Sequence, residues 1–60
     1  MYAIKNKNNQ YLTRMRFDAD YTFTDNNNFA YVWDRIEEAE TVRNILTDYQ
    51  NITDLEIVTI

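Results

Sequence analysis

Asp34-Arg35-Ile36-Glu37-Glu38-Ala39-Glu40-Thr41-Val42-Arg43-Asn44-Ile45-Leu46-Thr47-Asp48-Tyr49 is the stretch of this 60-residue chain that carries helical periodicity. Ile36, Ala39, Val42, Ile45, Leu46 and Tyr49 recur at spacings of three and four, while Glu37, Glu40, Thr41, Asn44, Thr47 and Asp48 fall opposite them. Asp34 followed three residues later by Glu37 has the form of a capping box, and Glu37, Glu38 and Glu40 complement the positive end of a helix dipole. The spacing predicts a helix over 35–49 with one apolar face. The rest of the chain must supply what that face packs on.

Upstream of the helix the period changes from helical to alternating. Phe29, Tyr31 and Trp33 alternate with Ala30 and Val32, and Tyr21-Thr22-Phe23-Thr24 alternates aromatic with Thr. Tyr11, Thr13 and Met15 alternate with Leu12, Arg14 and Arg16, and Tyr2, Ile4 and Asn6 with Ala3 and Lys5. These patterns predict strands near 2–6, 10–16, 20–24 and 29–33, with a bend or bulge at Asp18-Ala19-Asp20. Downstream, 50–54 reads as a loop and Leu55-Glu56-Ile57-Val58-Thr59-Ile60 as a last strand, apolar on both sides. Such a strand is expected between neighbours in the sheet or under a partner. The expectation is one α+β domain over 1–60: a mostly antiparallel sheet of about four to five strands with one helix packed on one face.

The chain has no Gly and no Pro, so Asn is expected to make the turns, because its short amide tolerates the left-handed region. Lys7-Asn8-Asn9-Gln10 and Asp25-Asn26-Asn27-Asn28 both sit between apolar segments and read as hairpin loops.

Composition excludes much chemistry. Without Gly there is no phosphate-cradling loop, dinucleotide fingerprint or nucleophile elbow. Without Cys or His there is no thiolate catalysis, no disulfide and no Cys- or His-ligated zinc. Asp18, Asp20 and Asp25 lack the glycine and terminal Glu of a calcium loop, and Glu37, Glu38 and Glu40 read as a solvated helix face rather than an acid–base pair. No catalytic, cofactor-binding or metal-binding residue is expected, and the protein is not expected to be an enzyme. No run approaches the ~18 apolar residues of a membrane span, and no secretory signal precedes the first strand, so the expected location is the cytoplasm, with no membrane partner.

Binding is the remaining class of function. Lys5, Lys7, Arg14 and Arg16 fall within residues 1–17, which hold no acid, and Tyr11 lies among them; a basic hairpin with an aromatic is a candidate nucleic-acid contact. Residues 18–60 hold all ten acids against Arg35 and Arg43, and the formal net charge is −4. Phosphate would meet that acidic remainder. Glu37, Glu40 and Asp48 on the polar helix face are candidates for docking a basic protein, and Tyr31 and Trp33 for an aromatic anchor. So short a chain has little core, and a two-sided apolar strand calls for cover, so a homodimer through strand edges or the aromatic face is also expected.

Tyr2-Ala3-Ile4-Lys5, Tyr11-Leu12, Glu37-Glu38-Ala39-Glu40 at the helix start and Leu55-Glu56-Ile57-Val58 together resemble many very small proteins encoded by phages and prophages of low-GC Gram-positive bacteria. Those proteins often carry Gly in the first turn, where this chain has Asn8-Asn9. The resemblance implies a strand–turn–strand, a short acidic-starting helix and a closing strand. It also implies a stoichiometric inhibitor of a host protein, most specifically a defence nuclease such as a CRISPR effector (an anti-CRISPR or other anti-defence role), acting in the host cytoplasm. The alternatives are a small nucleic-acid-binding accessory protein using the basic hairpin, or a structural oligomer subunit.

Overall fold

The structure is a computed structural model that describes residues 1–15 and 21–60, and at Arg14 and Met15 the backbone alone. The chain runs β1 (Tyr2–Lys5), β2 (Tyr11–Met15), β3 (Tyr21–Thr24), a 3₁₀ turn (Asn27–Phe29), α1 (Ile36–Gln50) and β4 (Glu56–Thr59). The strands form one antiparallel sheet in the order β3-β2-β1-β4, with α1 packed across β1 and β4. Among the described residues this is the expected α+β arrangement, with four strands and one helix.

Ile4 of β1, Leu12 of β2 and Leu46 of α1 are fully buried and form the centre of the core. Tyr21, Phe23, Trp33, Val42, Ile52, Leu55 and Ile57 pack around them half-buried. Pairing explains the set. Ile4 stands opposite Ile57 and Leu12 opposite Phe23, so alternation brings these side chains to the face that α1 covers. Ala3 and Val58, also opposite each other, take the other face.

Asn makes the first turn, as expected, although its key residue, Asn6, falls within the strand pattern 2–6. Asn6 Oδ1 accepts from the N–H groups of Asn8 (3.0 Å) and Gln10 (2.9 Å), and its Nδ2 donates to Gln10 Oε1 at 3.2 Å. Asn9 takes the left-handed conformation, with φ 61°. At the end of α1, Asn51 does the same with φ 57°, and the N–H groups of Asn51 and Ile52 both reach the Leu46 carbonyl.

Four expectations are corrected. The helix begins one residue later than the capping box implied: Arg35 holds the N-cap position and makes no side-chain cap hydrogen bond, so Asp34 is not the cap. The segment 29–33 is not a regular strand, because Phe29 belongs to the 3₁₀ turn and only Trp33 forms a β-bridge, to Tyr2. Consequently Asp25–Asn28 does not close a hairpin. It carries the chain from β3 to the other side of β2, with Asn26 Oδ1 capping the turn through the Asn28 N–H at 3.0 Å. Finally, β4 is an edge strand, not a central one. Its apolar character on both sides has another origin: Ile57 faces the helix side and Val58 lies against Ala3.

The bend expected at Asp18–Asp20 falls outside the described residues. A register slip lies between Leu12 and Arg14 in β2.

Candidate functional site

The surface with the most definite geometry is built by residues 29–33. β1 and β2 share the register pair Lys5–Tyr11 next to their turn. Farther along, the segment 31–33 lies between them: Tyr31 N–H donates to the Leu12 carbonyl of β2 at 2.8 Å, and Trp33 exchanges two 2.9 Å backbone bonds with Tyr2 of β1. The Thr13 hydroxyl, at the register slip in β2, donates to the Phe29 carbonyl. The slip thus turns a β2 side chain to hold the incoming segment. A backbone bonded on both sides has little freedom left to lose on binding.

On this clamped segment the side chains divide. Trp33 packs against Ile4, Leu12 and Leu46 and serves as a wall. Tyr31 leans on it, ring centroids 4.8 Å apart and planes tilted by 43°, while remaining 52% exposed. Phe29 is 66% exposed. Tyr21 and Phe23, by contrast, meet edge to face at 6.1 Å and belong to the core. Of the aromatic residues between 21 and 33, therefore, Tyr21, Phe23 and Trp33 hold the fold, and Phe29 and Tyr31 face solvent. Phe29 was missed as a surface residue because alternation with Tyr31 suggested a strand. The Asn26-Asn27-Asn28 run before it was the signal that the backbone turns there.

The acidic candidates share one side of α1. Glu37 and Asp48 are exposed and Glu40 is half-buried. Glu37 and Asp48 lie eleven residue steps apart along the helix, about 16 Å at the usual rise, so they form a strip and not a cluster. Among the described residues no group of three Asp, Glu, His or Cys side chains is placed to hold a metal ion.

The basic candidates are placed less coherently. Lys5 Nζ lies 5.9 Å from the centre of the Tyr11 ring, within cation–π reach, and Lys7 is exposed on the turn. Arg14 pairs through its backbone with Thr22, its side chain lies outside the described residues, and so does the whole of Arg16. Lys5 and Tyr11 line an open depression of about 550 Å³ together with Asn9, Asp25, Asn26 and Asn27, and Glu56 stands opposite Lys5 in β4. Asp25 and Glu56 therefore set negative charge beside this lysine, which the sequence, reading 1–17 as an acid-free block, did not reveal.

No helix among the described residues is long and apolar enough to cross a membrane. No known protein family matches the chain, and no curated protein or solved structure is significantly similar to it.

Proposed function

We propose that this domain works by binding a protein stoichiometrically, without catalysis, and that Tyr31 is the centre of the contact, with Phe29 beside it in sequence and Trp33 behind it. One observation carries the reading: Tyr31 is half exposed on a backbone that is hydrogen-bonded to β2 at its own N–H and to β1 two residues later. Tyr offers large contact area with few rotatable bonds, and a backbone already fixed loses little entropy on association. The acidic strip Glu37, Glu40 and Asp48 supplies the complement to a basic partner surface. A surface that normally grips DNA or RNA has that character. The resemblance to small phage proteins supports the narrower reading, an inhibitor of a host defence nuclease acting in the host cytoplasm.

The nucleic-acid reading keeps one observation in its favour, the Lys5–Tyr11 pair. A capture experiment from host lysate, with and without nuclease treatment, separates the two. The protein-binding reading expects a partner that survives nuclease, is lost by about tenfold or more with Tyr31→Ala, and weakens when Glu37, Glu40 and Asp48 are reversed to Lys. It expects Lys5→Ala and Lys7→Ala to bind fully. Capture that disappears with nuclease and depends on Lys5 and Lys7 transfers the function to nucleic acid. Circular dichroism on each variant confirms folding; Tyr31 is exposed enough for its loss to leave the fold intact.

A further inference from the structure

We infer that the open edge of β4 pairs with β4 of a second copy of this chain, antiparallel, about a two-fold axis through Val58. The inference rests on the hydrogen-bond parity of the sheet and stands apart from the aromatic surface. Tyr2 directs its backbone N–H and C=O to Trp33, away from β4, and Ile60 N–H donates to the Met1 carbonyl at 2.9 Å. In an antiparallel ladder these directions alternate. With Ala3 opposite Val58 and Lys5 opposite Glu56, the backbone groups of Glu56, Val58 and Ile60 therefore point inward to β1. Those of Ile57 and Thr59 point outward from the sheet edge.

That parity selects the partner register. Two copies of the edge can hydrogen-bond only where outward residues meet outward residues. An axis at Val58 sets Ile57 opposite Thr59 of the second copy and Thr59 opposite Ile57, forming about four backbone hydrogen bonds within the strand. An axis at Ile57 or at Thr59 forms about half as many there. An axis at Glu56 would set two carboxylates face to face, which like-charge repulsion disfavours. At the Val58 axis, Glu56, the one charged residue of β4, instead meets Ile60, which is 48% exposed in the single chain. Val58 meets Val58 at the closely spaced pair position, next to Ala3. β4 has no Pro, no Lys and no bulge to block pairing, and its single charge, Glu56, stands at the strand's first residue, away from the Val58 axis. A second copy is thus the occupant whose charge and bonding pattern fit this edge without a clash.

The absence of Cys makes the test direct. Val58→Cys places two thiols across a non-hydrogen-bonded antiparallel pair, at about 4.5–5.5 Å between Cα atoms, a spacing that a disulfide spans. Under mild oxidation at high micromolar concentration it should form a covalent dimer at least about tenfold faster than Thr59→Cys, whose copies are out of register. Thr59→Pro removes an outward N–H and no internal bond, and should weaken self-association measured by sedimentation equilibrium by about tenfold or more while circular dichroism stays native. A monomer at high micromolar concentration overturns the inference. So does equal crosslinking by the two Cys variants, or a dimer that Thr59→Pro leaves unchanged. If Thr59→Pro fails to fold, the ratio of the two crosslinking rates decides alone.

Discussion

Arg35 sits at the N-cap of α1 in extended geometry, φ −117° and ψ 136°, but a guanidinium has no acceptor to offer the free N–H groups of the first turn. Glu38, three residues on, occupies the position from which a capping box is completed, and its own N–H already reaches the Arg35 carbonyl at 3.2 Å. Arg35→Ser should therefore stabilise the domain by about 1 kcal/mol, and Asp34→Ala should leave it within about 0.5 kcal/mol, because Asp34 lies outside the helix it was expected to cap. In a domain this small, the first change raises the melting temperature by about 4–8 °C. Thermal unfolding of the two variants checks both, and a large loss at Asp34 would move the cap back by one residue. The misreading has a physical cause. Asp-x-x-Glu and Arg-x-x-Glu overlap here by one position, and only the backbone angles decide which residue leads. At Asn9 the sequence was legible, because in a chain without Gly an amide side chain is a low-cost route into the left-handed region; Asn51 and Asp54 take the same region within a segment that reads only as a loop.

The same distinction between pattern and placement governs the elements. The stripe of α1 ran from Ile36 to Tyr49 in sequence, yet only its middle is buried: Leu46 is 1% exposed, whereas Ile36 is 41% and Tyr49 78% exposed. Periodicity reports the face a helix turns inward, not how far the surface beneath it extends. Leu46→Ala should cost about 2–5 kcal/mol, a large share of the stability available to a domain with so small a core. Tyr49→Ala should cost less than about 0.5 kcal/mol. Urea unfolding of the two variants measures the contrast; similar costs would mean that α1 packs with a different face. β1 through β3 and α1 were readable because alternation and the 3.6 period are strong over their lengths. Residues 29–33 alternate as a strand does, but the gap they fill opens only where β1 and β2 diverge, and that divergence is a tertiary fact. The position of β4 at the edge was equally hidden, since a strand apolar on both faces reads alike whether two strands flank it or one.

At the scale of the whole molecule, charge orders what packing has assembled. The sequence separated an acid-free first segment from an acidic remainder, and the fold partly undoes the separation by bringing Glu56 opposite Lys5 and Asp25 into the depression beside it. The acidic helix strip was legible, because helical spacing alone places Glu37, Glu40 and Asp48 together. The exposed aromatic surface was half legible: the alternation picks out Tyr31 and Trp33, but the inward packing of Trp33 and the exposure of Phe29 depend on how the segment threads between β1 and β2. Salt should move the two proposed associations in opposite directions. Pairing through β4 joins two copies that each carry a formal charge of −4. Raising ionic strength from 0.01 to 0.15 M shortens the screening length from about 30 to about 8 Å and should tighten the dimer a few-fold. Docking of the acidic strip on a basic partner gains from unscreened attraction, so the same change should weaken it. Sedimentation equilibrium and partner capture at both salt concentrations give the two signs. Reversing Glu37, Glu40 and Asp48 to Lys turns the net charge weakly positive without touching β4, so it should flatten the salt dependence of self-association and weaken capture. Self-association that weakens with salt, or capture that strengthens with it, would show that charge does not organise these contacts and would leave the aromatic and backbone terms to carry them.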